Sequence, residues 1–245
     1  MPEFKSPDDP PEEKILHFSD LHADPTHLAA VLEICRHEKP VIVAISGDLT
    51  NWENDRAKDL KTLEESRRFL IELDRHWPVA FCSGNHEEWT AMHAANKWEV
   101  ACPNNQSTVF NRGNKTWIIS CFPYGDNGTS TDALHQEHWL QQKYPEAIRI
   151  WLHHEPPLGS SCGWSVESFN GCPRIREVIR TKKPDLLLCG HVHSAPFTGG
   201  LSTERMFETI CCNPGSCSNR ADMWFYKTKP NYIRITGKRT ETITP

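Results

Sequence analysis

The chain has 245 residues, 38% of them hydrophobic and 24% charged, with a formal net charge of −5. That is long enough to bury a sizeable core and too apolar for a disordered chain. The acidic balance argues against nucleic acid or an anionic membrane as partner, and no run approaches the roughly 18 apolar residues of a membrane span.

Residues 1–14 are rich in proline and charge and lack the apolar centre of a signal peptide. They are expected to form a flexible tail, with a single domain from 15 to 245. Ile15–Ser19 is a short apolar run that stops at Asp20-Leu21-His22 before the turn residues Asp24-Pro25, which predicts a buried strand. On an extended backbone, residues two apart share a face, so Asp20 and His22 are expected to project together from the strand end. Alone, an Asp-x-His triplet is common by chance. Leu28, Val31, Leu32 and Cys35 then fall at helical spacing, predicting a helix over 26–37 that Pro40 ends. Val41–Ile45 is a continuous apolar run, typical of a strand covered on both faces, and it stops at Ser46-Gly47-Asp48. A second helix is predicted over 59–75, with Leu60, Leu63, Phe69, Leu70 and Leu73 inward. Pro78–Cys82 is the next strand, and it stops at Ser83-Gly84-Asn85-His86-Glu87.

The middle of the chain predicts a hairpin, Ser107–Phe110 and Trp117–Cys121 around the turn 111–114. A polar loop, Phe122–Asp132, and a helix over 133–143 follow. Ala147–Leu152 is a strand ending at His153-His154-Glu155-Pro156. A long loop, Leu158–Cys172, leads to a helix from Pro173. Asp185–Cys189 is a strand ending at Gly190-His191-Val192-His193. Glu204–Cys212, Trp224–Lys227 and Tyr232–Thr236 read as short strands.

Ten cysteines occur, and Cys82, Cys121 and Cys189 lie in apolar runs where a reduced thiol acts as a small hydrophobe. With no export signal, a reducing cytoplasm is the expectation. Cys162 with Cys172, and Cys211, Cys212 and Cys217, leave disulfides or a thiolate metal site open, although no Cys-x-x-Cys spacing supports zinc.

Five strand ends therefore carry nitrogen or oxygen donors: Asp20 and His22; Asp48; Asn85 and His86; His153 and His154; His191 and His193. Each has a bland reading: a surface Asp and His for Asp20 and His22, a helix cap for Asp48, a turn for Asn85, buried histidines for His153 and His154, and loop residues for His191 and His193. Together these readings require five independent accidents at strand termini. Gly47, Gly84 and Gly190 each precede a donor, where the chain must turn sharply or approach closely.

The set Asp20-Leu-His22, Gly47-Asp48, Gly84-Asn85-His86-Glu87, His154-Glu-Pro156 and Gly190-His191-Val-His193 resembles, in order, the motifs of the metallophosphoesterase superfamily, the calcineurin-like phosphoesterases. The resemblance implies a four-layer αββα sandwich of two mixed β-sheets flanked by helices. It implies two divalent metal ions, with Asp48 bridging them, Asp20, His22 and His193 completing one site, and Asn85, His154 and His191 completing the other. Of the neighbouring histidines only His154 has the His-x-Pro spacing, which leaves His153 behind the ligands. The implied chemistry is hydrolysis of a phosphoester by a metal-bridging hydroxide, with His86 touching the phosphoryl oxygen or protonating the leaving group. Mn, Fe, Zn or Co suits the donor set.

Asn51 stands where purple acid phosphatases have a metal-binding tyrosine, and the arginines of Ser/Thr protein phosphatases are missing. Ser19-Asp-Leu-His22 and Gly47-Asp-Leu-Thr50 look more like bacterial phosphodiesterases. The expected substrate is a small phosphodiester or phosphomonoester, a nucleotide included. Tyr124, Trp164 and Phe169, on the two long loops, are candidates to line its pocket. A nuclease and a non-catalytic metal-binding interaction module are the alternatives. The sequence leaves the oligomeric state open.

Overall fold

The computed structural model describes residues 13–52, 55–89, 100–112, 115–125, 131–216, 232–236 and 239–243. The expected tail, apart from residues 13 and 14, the strand expected at 224–227 and Cys217 lie outside them. Within this set the elements, in chain order, are β1 (Ile15–Phe18), α1 (Pro25–Glu38), β2 (Ile42–Ser46), α2 (Arg56–His76), β3 (Val79–Cys82) and a short α3 (Asn85–Trp89). There follow β4 (Gln106–Arg112), β5 (Lys115–Phe122), α4 (Thr131–Lys143), β6 (Ile148–His153), β7 (Trp164–Ser165) and β8 (Ser168–Phe169). The chain continues through α5 (Pro173–Lys182), β9 (Leu186–Leu188), β10 (Thr203–Met206), β11 (Thr209–Cys212), β12 (Tyr232–Thr236) and β13 (Arg239–Ile243).

The strands form a five-stranded sheet, β13-β12-β1-β2-β3, and a six-stranded sheet, β10-β11-β9-β6-β5-β4. Both are mixed: β1, β2 and β3 run parallel, as do β5, β6, β9 and β11, while the flanking strands pair antiparallel. The apolar strand sequences explain the layering, because alternate residues face opposite sides. Ile15, Ile42, Ala44, Ala80 and Cys82 of the first sheet meet Trp117, Ile119, Ile150, Leu152, Leu186 and Leu188 of the second in one buried layer. The intervening Leu16, Phe18, Val43, Ile45, Val79 and Phe81 pack under Val31, Cys35, Phe69, Leu70 and Leu73 of α1 and α2. Trp151 and Leu187 pack under Ala133, Ile175 and Ile179 of α4 and α5 on the far side. This is the expected four-layer sandwich.

Local signals set the helix ends. Asp24 caps α1, accepting from the N–H groups of Thr26 and His27, and Pro25 opens the first turn. Lys39 closes it in a left-handed conformation, with its N–H on Cys35 O. Asp55 caps α2 in the same way, so that helix begins at Arg56, three residues before the expected start. Two other expectations need correction. The segment 204–212 is a hairpin, β10 paired with β11, rather than one strand. The stretch 158–172 is structured: a 3-10 turn at Ser161–Gly163 and the ribbon β7–β8 occupy it. Strand β13, at the sheet edge, was not anticipated, because its polar sequence carries no buried alternation. None of the described helices is long and apolar enough to cross a membrane.

One buried ion pair ties the outer helices to the second sheet. Arg149 on β6 donates Nε–H to Glu137 Oε1 of α4 at 3.0 Å and Nη1–H to Lys182 O of α5 at 2.7 Å. Trp151 Nε1–H donates to the same Glu137 oxygen at 2.6 Å. Glu137→Ala strands the guanidinium and should cost about 3 kcal/mol. Urea denaturation measures it; a loss below about 1 kcal/mol, the worth of an exposed pair, would contradict a structural role.

Candidate metal centre

All five donor-bearing loops leave the carboxyl ends of parallel strands, β1, β2, β3, β6 and β9, and they converge. Ligand atoms of Asp20, His22, Asp48 and His193 lie within 4.8 Å of one another, and so do those of Asp48, His154 and His191. Asp48 belongs to both groups. Asn85 joins the second: its Oδ1 is 3.1 Å from His154 Nε2 and 3.0 Å from His191 Nδ1. Among the described residues these are the only clusters of their kind. Cys162, Cys172, Cys211 and Cys212 are buried and free, and belong to neither cluster.

Asp20 and His22 converge for a different reason from the expected one. β1 ends at Phe18, and both residues lie beyond it with left-handed φ values of 55° and 50°. The strand pleat does not aim them; the loop does. That loop follows its neighbour after β2, with Asp20 N–H on Gly47 O, His22 N–H on Asp48 O and Ala23 N–H on Leu49 O. Asp48 and His191 are left-handed too, at 49° and 65°. Such conformations are uncommon for residues other than glycine and cluster at functional sites. Gly190 is a close-approach glycine: a Cβ there would strike the Ser19 and Asp20 side chains.

Tautomers follow from the partners. His154 Nδ1–H donates to the carbonyl of Ser46 at 2.7 Å, leaving Nε2 as the atom that faces Asp48 Oδ2, 3.3 Å away, and Asn85 Oδ1. His22 Nε2 and His193 Nε2 face each other at 3.3 Å, and His193 Nε2 is 3.1 Å from Asp20 Oδ1. Acceptor atoms brought this close need a cation between them. In the protein alone protons serve. Burial opposes the charge on His154, but Asp48, Asp20 and the Ser46 carbonyl outweigh it and push its pKa up to about 10. Burial opposes His193 likewise, and Asp20 raises it. Burial works against the ionised Asp20, yet His193, His154 and His22 hold its carboxyl well below the usual range. Burial drives His22 and His191 down to about 4 and keeps them neutral. This hard oxygen and nitrogen donor set, which gathers positive charge, fits divalent cations.

His86 belongs to neither ligand group, although its ring packs 4.6 Å from that of His22. The N–H of Trp52 donates to its Nδ1 at 3.1 Å, so a neutral His86 carries its proton on Nε2, 3.7 Å from Asp48 Oδ2. Burial lowers its pKa, with Asp48 opposing. His153 ends β6, fully buried, and donates Nδ1–H to Glu155 O at 3.0 Å; among the described residues its Nε2 meets no hydrogen-bond partner. It lies outside both clusters. Tyr124 packs its ring 6.0 Å from His154 and 6.2 Å from His191. Trp164 and Phe169 stack on each other at 4.7 Å across β7–β8, and among the described residues neither ring packs on the histidines.

Sequence reading left Glu87 without a role. Buried on α3, it accepts from Asp48 N–H at 2.9 Å, Gly84 N–H at 2.6 Å, Thr50 N–H at 2.7 Å and the Thr50 hydroxyl at 3.0 Å. Burial and then the charge of Asp48 push its pKa up to about 7, against the pull of those bonds. The only sequence signal was its place directly after Asn85-His86.

The Calcineurin-like phosphoesterase family model matches residues 13–195, which include every candidate ligand. Among solved structures, TT1561 of Thermus thermophilus aligns with a TM-score of 0.59 at 16% identity, covering 94% of this chain and 98% of that one. A dimetal phosphatase from Danio rerio aligns with a TM-score of 0.58 at 11% identity, covering 96% of this chain and 99% of that one. At these identities the likeness is one of fold. Among curated proteins, none matches this sequence.

Glu87→Gln turns an amide N–H₂ toward donors that need an acceptor. It should cost about 2 kcal/mol or more, the penalty for buried donors left unsatisfied. Chemical denaturation reads this directly, and a midpoint equal to wild type would mean that the four bonds do not hold the two loops together.

Proposed function

The chain belongs to the calcineurin-like phosphoesterase family, and we propose that it hydrolyses phosphodiester or phosphomonoester bonds of small molecules, nucleotides among them, with two divalent metal ions. The observation that carries this reading is the shared carboxylate: Asp48 lies in both ligand groups. Asp48, a member of both groups, would be the ligand shared by the two ions. Asp20, His22 and His193 complete one site; Asn85, His154 and His191 complete the other. Two such ions supply Lewis acidity toward a phosphoryl oxygen and make water acidic enough to act near neutral pH. Mn, Fe, Zn and Co all suit the donors, and Mn²⁺ is the first to try.

The remaining residues act on the substrate. His86 Nε2–H, 3.7 Å from Asp48 Oδ2, donates a hydrogen bond to the phosphoryl group or, from the imidazolium form, a proton to the leaving oxygen. Its Nδ1 is held by the Trp52 N–H, which keeps that proton on the face turned to the site. Tyr124, edge-on to His154 and tilted against His191, supplies a flat wall for a ring such as a base. Trp164 and Phe169 form a second apolar surface on the β7–β8 ribbon. His153 supports the neighbouring ligand through its buried ring. We take residues 15–245 as one domain, since both sheets draw strands from beyond the matched 13–195 span. Among the described residues nine cysteines are buried and form no disulfide, which supports a reducing cytoplasm.

The deciding experiment is a hydrolysis screen of mono- and diester phosphates with added Mn²⁺, run beside Asp48→Ala. Hydrolysis of small esters by the wild type, abolished in a folded Asp48→Ala that has lost both ions, is expected. A preference for DNA with strong salt dependence would instead make it a nuclease. Two bound ions and no hydrolysis of any ester would leave a non-catalytic binding module.

His86→Ala should keep both ions and lower turnover by roughly 10²–10⁴-fold, the usual range for a positioned acid. The loss should shrink for nitrophenyl esters if His86 protonates the leaving group. It should be uniform across esters if His86 holds the phosphoryl oxygens. Loss of a metal ion on this substitution would show that His86 is a ligand after all.

A further inference from the structure

Backbone carbonyls of the loops that carry Asp20, His191 and His193 accept hydrogen bonds from one other segment. That segment follows β11. Asn213 is fully buried there. The N–H of Gly215 donates to its Oδ1 at 2.8 Å, and this fixes the amide, because only the oxygen end of an amide side chain accepts. The N–H₂ group therefore faces the other way. It donates to Cys162 O at 2.8 Å, Val192 O at 3.1 Å and Gly190 O at 3.2 Å. Two N–H bonds serve three carbonyls, so one is shared. Gly190 and Val192 bracket His191, and Val192 precedes His193.

The next residues extend the grip. The backbone N–H of Ser216 donates to His193 O at 3.3 Å, and its hydroxyl donates to Asp20 O at 2.8 Å. Gly215 lets the chain come this close: its φ is +70°, and a Cβ there would sit 2.7 Å from His193 O. Asn213 is itself tied down by its N–H on Ser202 O at 2.8 Å. Four carbonyls of the ligand loops, those of Asp20, Gly190, Val192 and His193, thus end on one tetrapeptide, Asn213-Pro214-Gly215-Ser216. None of these contacts uses a side-chain ligand atom of either cluster.

We propose that Asn213, Gly215 and Ser216 form a positioning clamp that sets the loops of Asp20, His191 and His193 and thereby the affinity of the centre for its ions. The clamp rests on the metal-centre reading above. It reaches both ligand groups, because Asp20 and His193 belong to one and His191 to the other. It also holds His191 in its left-handed conformation, which a free loop would relax. Through Cys162 O the same amide anchors the 3-10 turn that leads into β7, so the Trp164–Phe169 surface is registered to the metal loops by one side chain.

The test measures Mn²⁺ affinity by calorimetry on the full chain, together with thermal stability, for wild type, Asn213→Asp, Ser216→Ala and Glu137→Ala. Asn213→Asp keeps the shape but turns a carboxylate oxygen toward three carbonyls. Ser216→Ala removes only the hydroxyl on Asp20 O and serves if the first variant does not fold. Glu137→Ala destabilises the remote ion pair and controls for lost stability. Both clamp variants should bind Mn²⁺ about 10–100-fold more weakly, as is usual when the supports of ligands are removed. Glu137→Ala should bind as wild type does. Folded clamp variants with wild-type affinity, or equal weakening in Glu137→Ala, overturn the clamp alone. A wild type that takes up no Mn²⁺ overturns the metal-centre reading and the clamp with it.

Discussion

The site depends on one buried carboxylate that is not among the candidate ligands. Three backbone N–H groups and a hydroxyl, from the loop after β2 and the turn after β3, end on Glu87. Buried N–H groups facing inward need an acceptor, and a loop that turns this sharply offers them none of its own. Glu87 supplies it from the same short helix that begins with Asn85. The N–H of His86 returns a bond to Asp48 Oδ1 at 2.9 Å. Asp48, Asn85 and His86 are therefore a single rigid unit. Cations beside Asp48 would also remove the negative charge that pushes the Glu87 carboxyl up, so metal binding and the lock reinforce each other.

Rigidity is needed because the candidate ligands are strained. Asp20, His22, Asp48 and His191 all have positive φ, each at a cost of order 1–3 kcal/mol that a loose loop would shed. The surrounding structure offsets this by tying loop to loop: β1 to β2 through three backbone bonds, β2 to β3 through Glu87, and the β1 and β9 loops to the chain after β11 through Asn213 and Ser216. The two packed sheets hold the starting points of these loops still. A site of this kind is made before any ion arrives, which is what tight and selective binding of a cation asks for.

Electrostatics and shape then divide the site between the sheets. The first sheet brings both carboxylates and His22, and the turn after β3 brings Asn85 and His86. The second sheet brings His154, His191 and His193, and the protons on His154 and His193 stand in for cations in the protein alone. Tyr124, just past β5, closes one side. No single sheet carries a complete ligand group, so the centre exists only when the inter-sheet core is packed.

Much of this was written in the chain itself. Continuous apolar strands such as Val41–Ile45 can only be buried on both faces, and proline and aspartate mark where α1 and α5 begin and end. Donors placed directly after five such strands identify the centre, because parallel strands put their carboxyl ends on one side. The polar edge strand β13 leaves no apolar alternation to read, and the turn that splits 204–212 into the hairpin β10–β11 carries no glycine or proline to mark it. The reason for convergence was also hidden. Asp20 and His22 follow an apolar run and invite a strand-pleat argument, yet they meet through left-handed turns that depend on carbonyls of the neighbouring loop. Which of His153 and His154 faces the cluster rested on a spacing; in the structure it follows from which imidazole can reach Ser46 O. Glu87 and Asn213 hold the site through long-range bonds to backbone groups. Every residue carries the same backbone, so such partners leave no mark in a sequence and emerge only when distant loops are brought into contact.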